Sequence, residues 1–117
     1  MHELSIASAI VQNVLEFVRT QQAQKVLVVR LAIGELTCLE PEQLQFCYRA
    51  VTKETPIEDS TLEIDRLEAT VSCPHCGYDG RPKYWDDVAT LQCPLCGKTV
   101  EAIAGHECAI KAIQYVN

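Results

Sequence analysis

The sequence predicts an α+β fold in which two helices pack on a three-stranded sheet and a small cysteine-rich module precedes the last strand. Two stretches carry apolar residues at helical spacing, and three others are rich in β-branched residues at alternate positions. Two matched Cys-Pro-x-Cys-Gly motifs lie between the second and third of those strands. The length of 117 residues fits one small domain that carries a smaller module.

The first predicted element is a helix with Ser5 as its N-cap, which ends near Gln22. Its apolar face at helical spacing comprises Ala7, Val11, Val14 and Val18. A strand over residues 25–36 follows, and Gly34 is expected to end it. The alternating apolar positions of this strand are Leu27, Val29, Leu31 and Ile33.

The second helix is predicted to begin at Glu40-Pro41-Glu42. Proline at the first helical position loses no needed hydrogen bond, and acidic side chains favour the positive end of the helix dipole. The expected buried face is Leu44, Cys47, Tyr48 and Val51. A second strand is predicted over 60–71 and a closing strand over 106–117. The apolar positions of the closing strand, Cys108, Ile110 and Ala112 and then Ile113 and Tyr115, shift phase, which predicts a β-bulge.

The acidic composition argues against partners that are recognised through phosphates. The net charge is −6, whereas nucleic-acid affinity comes from clustered Lys and Arg. No basic segment precedes the first apolar stretch, and Gln12, Asn13 and Glu16 interrupt it well short of the roughly 20 apolar residues of a membrane span. We expect a cytoplasmic protein that binds neither nucleic acid nor a membrane.

The most specific signal in the chain is the pair of motifs at 73–77 and 93–97, each of which reads Cys-Pro-x-Cys-Gly. Four thiolates in two such pairs fit a tetrahedral zinc site, in which each pair forms a knuckle. The glycine that ends each motif permits the positive φ that turns backbone N–H groups toward the sulfurs. The predicted Zn(II) ligands are Cys73, Cys76, Cys93 and Cys96. Because four thiolates fill the coordination shell, this zinc is expected to be structural.

Two disulfides or a redox-active dithiol are the competing interpretations of these cysteines. Disulfides are disfavoured without a secretory signal, and a redox site uses one CxxC at a helix start rather than two matched knuckles. We therefore predict a zinc-binding module over 72–104. It is inserted into an α/β domain formed by 1–71 plus 105–117.

The charge of the predicted module favours protein contacts over nucleic-acid contacts. It carries three Lys or Arg against four acidic residues, and four thiolates with one Zn²⁺ add further negative charge. Tyr84 and Trp85 are candidates for a contact with another protein. The alternative for Trp85 is that it covers the small zinc core.

The remaining cysteines and histidines have simpler interpretations. Cys38, Cys47 and Cys108 lie in apolar patterns and are expected to be small buried hydrophobes. His106 is expected in a solvated loop, and His75 is a candidate donor to a zinc ligand or an alternative ligand. The sequence holds no Ser/His/Asp set, Gly-rich phosphate loop or HExxH pair, so we do not expect an enzyme.

Several segments together resemble the HypA/HybF family of hydrogenase nickel-insertion accessory proteins. They are MHELSIASAIVQNV at the start, LAIGELTCLEPEQLQFCYRAVTKET in the middle, the two CPxCG motifs and the closing GHECAIKAI. The resemblance covers nearly the whole chain. One departure is Cys108, because the closing stretch of the family reads closer to GxEL.

The resemblance implies a nickel metallochaperone whose N-terminal part binds Ni(II) as transient cargo and whose zinc module is structural. It implies that His2 binds nickel together with neighbouring backbone nitrogens. The implied partners are the GTPase HypB and the precursor of the nickel-iron hydrogenase large subunit, and in some organisms urease maturation factors.

The first three residues also offer a chelating set of nitrogens. The terminal amine of Met1, the amide and imidazole nitrogens of His2 and the amide nitrogen of Glu3 can bind one metal ion through fused rings. Planar nitrogen donors suit Ni²⁺ or Cu²⁺ and are poor for Zn²⁺. A single histidine is a weak motif, so without the resemblance an ordinary exposed residue is the simpler interpretation.

Two classes of function therefore stay open on the sequence. One is nickel delivery by a dedicated chaperone, and the other is a zinc-ribbon adaptor that binds proteins and no labile metal. The metal content of the protein separates them.

Overall fold

The computed structural model describes residues 3–84, of which Tyr84 by its backbone only, and residues 91–117. The first half of this described part holds α1 (Glu3–Gln21), β1 (Lys25–Gly34), a 3₁₀ turn (Glu35–Thr37), α2 (Pro41–Thr52) and β2 (Thr61–Leu67). The second half holds β3 (Thr70–Ser72), β4 (Asp79–Gly80), β5 (Lys83–Tyr84), β6 (Leu91–Gln92), β7 (Ala102–Ala104) and β8 (Cys108–Val116). The α+β class predicted from the sequence is confirmed.

The chain divides into two compact units. The helix–sheet unit comprises Met1–Ala32, Cys38–Asp65 and Ala109–Asn117, and the cysteine unit comprises Ile33–Thr37 and Arg66–Cys108. The cysteine unit is wider than the module expected at 72–104. It also includes five residues from between β1 and α2, which are distant from it in sequence.

Helix α1 begins at Glu3, whereas Ser5 as N-cap would start it at Ile6, three residues later, so the assignment of Ser5 as N-cap is wrong. Glu3 places a carboxylate in the first turn, where the helix dipole favours negative charge. The buried face is close to the predicted one and consists of Ala7, Ile10, Val11 and Val14. Val18 is only partly buried.

Helix α2 begins at Pro41 with Glu40 as its N-cap, as predicted. Leu44, Cys47 and Tyr48 are buried, and the helix packs against α1. The third turn ends at Thr52, whose hydroxyl donates to the carbonyl of Tyr48 at 2.9 Å. These contacts make α2 a fixed wall of the helix–sheet unit.

The main sheet has the strand order β2-β1-β8. Backbone bonds from Gln24 N to Val116 O and from Gly34 N to Glu107 O tie the opposite ends of β1 and β8, which makes this pair antiparallel. The predicted inward positions of β1 are buried except Leu27, which is 41% exposed. The β8 residues that face inward include Ile110, Ile113 and Tyr115, each partly buried, so the apolar phase shifts where the sequence predicted it.

The prediction of a single strand over 60–71 is wrong, because two strands occupy this stretch. β2 ends at Leu67 and pairs in the main sheet, whereas β3 begins at Thr70 and pairs with β4 and β7. Between them the N–H of Ala69 donates to the carboxylate of Glu35 at 3.2 Å. A backbone N–H that donates to a side chain cannot donate to a neighbouring strand, and this interrupts the strand.

The cysteine unit contains the sheet β4-β3-β7 and the two-stranded ribbon β5-β6. Its core consists of Leu36, Ala69, Val71, Cys73, Leu91, Cys93 and Val100. Residues 33–37 are held to this unit by backbone bonds, including one from Leu36 N to Gly105 O at 2.8 Å. A Cβ at Gly34 would lie 2.0 Å from the carbonyl oxygen of Gly105, so this approach requires glycine.

Candidate metal sites

Each CPxCG motif forms a tight turn of the same geometry. In the first, the N–H of Gly77 donates to the carbonyl of Cys73 at 2.9 Å. In the second, the N–H of Gly97 donates to the carbonyl of Cys93, also at 2.9 Å. Both glycines have positive φ, 80° and 77°, which other residues adopt only at a cost. The predicted role of these glycines is confirmed.

The two turns bring the four predicted ligands together. The Sγ atoms of Cys73, Cys76, Cys93 and Cys96 all lie within 4.8 Å of one another. The shortest distances run between the motifs, 3.6 Å from Cys73 to Cys96 and 3.5 Å from Cys76 to Cys93. Zn–S bonds of about 2.3 Å in a tetrahedron place sulfurs about 3.8 Å apart. The spacing therefore fits one tetrahedral zinc ion.

The pKa of Cys93, the buried thiol of the second motif, is lowered. Burial acts to raise the pKa of Cys93, but the backbone N–H groups of Cys96 and Leu95 and the neighbouring thiols outweigh burial and hold that pKa at about 7. The N–H of Leu95 lies 3.4 Å from the Cys93 sulfur. Thiolate is the form that binds a metal, so this turn favours the ligand state.

The two thiols of the first motif have pKa values shifted in opposite directions. Burial acts to raise the pKa of Cys73, and the backbone N–H groups of Cys76 and His75 outweigh it, so the pKa is lowered. At Cys76 the N–H of Tyr78 acts to lower the pKa, but the thiol of Cys93 and the other neighbours raise it to about 12. Several thiolates at this spacing repel each other, and a bound cation removes that repulsion.

The other cysteines only partly follow the predictions. Cys47 is buried as expected, but Cys38 and Cys108 are exposed, so the prediction that they are buried is wrong. Cys38 has a φ of 59° and follows the 3₁₀ turn, so it lies beyond the end of β1 and outside the apolar alternation of that strand. Cys108 lies on β8, which has a neighbouring strand on one side only in the described part of the chain.

The histidines that the structure describes lie outside the sulfur cluster. His106 is exposed between β7 and β8, as predicted. His75 is exposed within the first motif and is not part of the four-sulfur group. Its suggested exchange with a zinc ligand stays a prediction. Trp85 and the side chain of Tyr84 lie outside the described residues.

Of the three residues predicted to bind nickel, the structure describes only Glu3. Met1 and His2 are outside the described residues, and Glu3 is the first residue of the helix. A carboxylate oxygen of Glu3 accepts the N–H of Glu40 at 3.2 Å. This bond connects the first turn of α1 to the N-cap of α2, both within the helix–sheet unit.

Sequence reasoning missed an ion pair that stabilises the cysteine unit. Arg81 donates to both carboxylate oxygens of Glu35, at 2.7 and 2.8 Å, and its guanidinium also lies 3.3 Å from Glu68. A bidentate Arg–carboxylate pair fixes geometry as well as charge. No local signal could have revealed it, because Glu35 and Arg81 are 46 positions apart.

Comparison with known proteins places these features in a family. Residues 1–115 match the family model described as hydrogenase/urease nickel incorporation, metallochaperone, hypA. The hydrogenase maturation factor HypA of Methanopyrus kandleri is 34% identical over 131 residues, which cover 97% of this chain and 92% of that protein. HypA of Methanocella arvoryzae is 38% identical over 114 residues, which cover 97% of each chain.

Solved structures share the fold. The solution structure of the Ni metallochaperone HypA from Helicobacter pylori superposes with a TM-score of 0.68 at 22% identity, covering 99% of this chain and 98% of that one. Among the described residues, no helix is long and apolar enough to cross a membrane. The family match over nearly the whole length confirms the resemblance seen in the sequence. The chain belongs to the HypA family of hydrogenase and urease nickel-incorporation metallochaperones.

Proposed function

We propose that this protein binds Ni(II) at its N-terminus and delivers it during maturation of nickel-iron hydrogenase. The observation that carries the proposal is the match of residues 1–115 to the nickel-incorporation family, a range that includes the opening Met-His-Glu. The cargo ion is bound by nitrogen donors and then released to a client. No chemical step on a substrate is required, so the protein is not an enzyme.

The proposed nickel ligands are the terminal amine of Met1, the imidazole of His2 and the backbone amide of Glu3. Because α1 begins at Glu3, a metal-bound Glu3 amide breaks no hydrogen bond of the helical ladder. The bond from Glu40 N to the Glu3 carboxylate supports the proposal, because it fixes the residue whose backbone amide is one of the proposed ligands. Nickel with planar nitrogen donors is consistent with this set.

The proposed zinc ligands are Cys73, Cys76, Cys93 and Cys96, whose sulfur spacing fits one tetrahedral ion. When bound, zinc supplies structural cross-linking and neutralises thiolate charge. The protein buries Cys73 and Cys93, which are 2% and 0% exposed, and its backbone N–H groups donate to the sulfurs. All four positions of the ion are then filled, so the site is structural.

The family description names hydrogenase and urease nickel incorporation, which supports a role beside other maturation proteins. We propose that the client is the hydrogenase large-subunit precursor, that the GTPase HypB acts with this protein, and that urease maturation factors are partners in urease-containing cells. The proposed location is the cytoplasm.

Metal content is the experiment that tests the function. Untagged protein is dialysed against NiCl₂ and then against metal-free buffer, and nickel and zinc are counted by mass spectrometry. We expect one tightly bound nickel per chain beside one zinc. One zinc with no retained nickel would contradict nickel delivery and would support the alternative of a zinc-ribbon protein adaptor.

A further inference from the structure

A polar cleft in the helix–sheet unit is lined by none of the proposed metal ligands. It has a volume of about 250 Å³ and lies between the outer side of α2 and the start of β2. Its lining residues are Gln45, Tyr48, Arg49, Ser60, Thr61 and Leu62. Neither the nickel proposal nor the zinc proposal uses any of them.

The inner wall of the cleft is held rigid by buried hydroxyl groups. The Tyr48 hydroxyl and Ser60 Oγ lie 2.6 Å apart, and Ser60 donates to the carbonyl of Ile57 at 2.6 Å. Because Ser60 uses its proton on that carbonyl, Tyr48 is the donor to Ser60. Tyr48 and Ser60 are 1% and 8% exposed. The Gln45 amide donates to Leu62 O at 3.0 Å and closes one side.

The outer wall of the cleft offers donors to a negative group. Arg49 is exposed, and none of the ion pairs in the parts of the chain that the structure describes involves it. Gln45 has a second amide proton, and Thr61 adds a hydroxyl. Asp59, next to Ser60 in sequence, is exposed and is not among the lining residues. A guanidinium with neutral donors is a typical carboxylate site.

An exposed aromatic ring adjoins this site. Phe46 is 59% exposed and precedes Arg49 by three residues, so the two side chains share one face of α2. Ala50 and Lys53 continue the exposed face. Aromatic and arginine side chains dominate the binding energy of protein interfaces, where they are surrounded by nearly neutral contacts.

We infer that the cleft and Phe46 form a docking surface for an acidic, apolar segment of a partner protein. A Glu or Asp side chain of the segment enters the cleft and pairs with Arg49, and a neighbouring apolar side chain covers Phe46. Charge complementarity argues for this occupant. With a net charge of −6 the chain repels acidic segments in general, so such a segment binds only where a local cation faces it.

The test is an NMR titration of ¹⁵N-labelled protein with three probes. They are the peptides acetyl-Leu-Glu-Leu-Glu-Leu-amide and acetyl-Leu-Gln-Leu-Gln-Leu-amide, and sodium acetate. We expect the Glu peptide to shift amides at 45–49 and 60–62 and to bind at least five-fold tighter than the Gln peptide. Arg49→Gln is expected to abolish the difference in affinity between the two peptides. Phe46→Ser is expected to weaken binding of the Glu peptide without changing the shifts caused by acetate.

Matched variants control for charge and for lost apolar surface. Lys25→Gln removes an exposed cation at the start of β1, and Leu4→Ser removes an apolar side chain that is 57% exposed. Both are expected to bind the Glu peptide as the parent protein does. Equal binding of the two peptides, or equal effects of Arg49→Gln and Lys25→Gln, would overturn the inference. Acetate binding as tight as that of the Glu peptide would also overturn the inference and would indicate a small-anion cleft. Self-association of the protein through this face would overturn it too.

Discussion

Tyr48 is the residue on which the packing of α2 most depends. Its side chain is 1% exposed, and its hydroxyl donates to Ser60 beneath the end of the helix. Burial raises the pKa of Tyr48 above its ordinary value, and the hydrogen bond with Ser60 acts in the opposite direction without cancelling it. The folded state therefore retains the phenol proton more strongly than the unfolded state does.

We predict that Tyr48→Phe lowers the free energy of unfolding by about 1 kcal/mol at neutral pH, because it removes one buried hydrogen bond. The parent protein has the full benefit of the raised Tyr48 pKa below about pH 10, the unfolded value, and loses it as pH rises toward the folded pKa. Urea unfolding from pH 7 to 11 measures both effects. An alkaline loss of stability equal in parent and variant would contradict the assignment to Tyr48.

At the scale of elements, we expect the folding of the cysteine unit to depend on metal binding by its four clustered sulfurs. Its core is small, and two of its seven core residues are the ligands Cys73 and Cys93. Metal binding and local folding are coupled in modules of this kind. The helix–sheet unit has its own buried residues on α1 and α2, so we expect it to fold without the zinc ion.

We predict that Cys93→Ser loosens the cysteine unit and leaves the helix–sheet unit folded. Hydrogen exchange is expected to accelerate at 66–84, 91–108 and 33–37, while the amides of α1 and α2 stay protected. Cys108→Ser, which removes an exposed thiol outside the cluster, serves as the control and should change neither unit. Equal acceleration throughout the chain would mean that the two units do not fold separately.

The elements that were predicted correctly are those whose geometry is determined by residues close together in the sequence. The start of α2 follows from Glu40-Pro41, and the two cysteine turns follow from motif spacing, because in each case neighbouring residues determine the geometry. The association of 33–37 with the cysteine unit rests on pairing between distant residues, as in Leu36 N to Gly105 O. The break between β2 and β3 depends likewise on Glu35, 34 positions from Ala69. No local pattern encodes such contacts.

The limits of sequence reasoning differ at the two metal sites. Motif spacing predicted that the four cysteines lie together, and their sulfurs do lie within 4.8 Å of one another, because two local turns bring them there. The exposure of Cys38 and Cys108 was missed, because burial of a small apolar residue depends on what packs over it. The assignment of nickel to the first three residues stays a prediction.

At the scale of the whole molecule, the two metals are expected to respond differently to acid. Nickel displaces protons from the Met1 amine and from His2, so we predict that its affinity falls steeply as pH decreases through about 6.5, where a free imidazole gains a proton. Zinc is expected to stay bound further into acid, because four thiolates together close the coordination shell of one ion. Nickel titrations between pH 6 and 8 check this, and a constant affinity would remove these ligands from consideration.

The central claim is that the terminal amine and His2 together bind nickel. Two variants separate this chelate from a site that uses the imidazole alone. His2→Ala removes the imidazole, whereas a Gly-Ser-Gly extension before Met1 keeps His2 and converts the amine to an ordinary amide. His106→Ala is the control, because it removes an exposed histidine far along the sequence.

The most direct measurement is the nickel affinity of these proteins by calorimetry, with zinc content and circular dichroism recorded on the same samples. We predict that His2→Ala and the extended protein both lose tight nickel binding, that His106→Ala retains it, and that all keep one zinc and the parent fold. Nickel binding by the extended protein as tight as that of the parent would contradict the terminal-amine chelate.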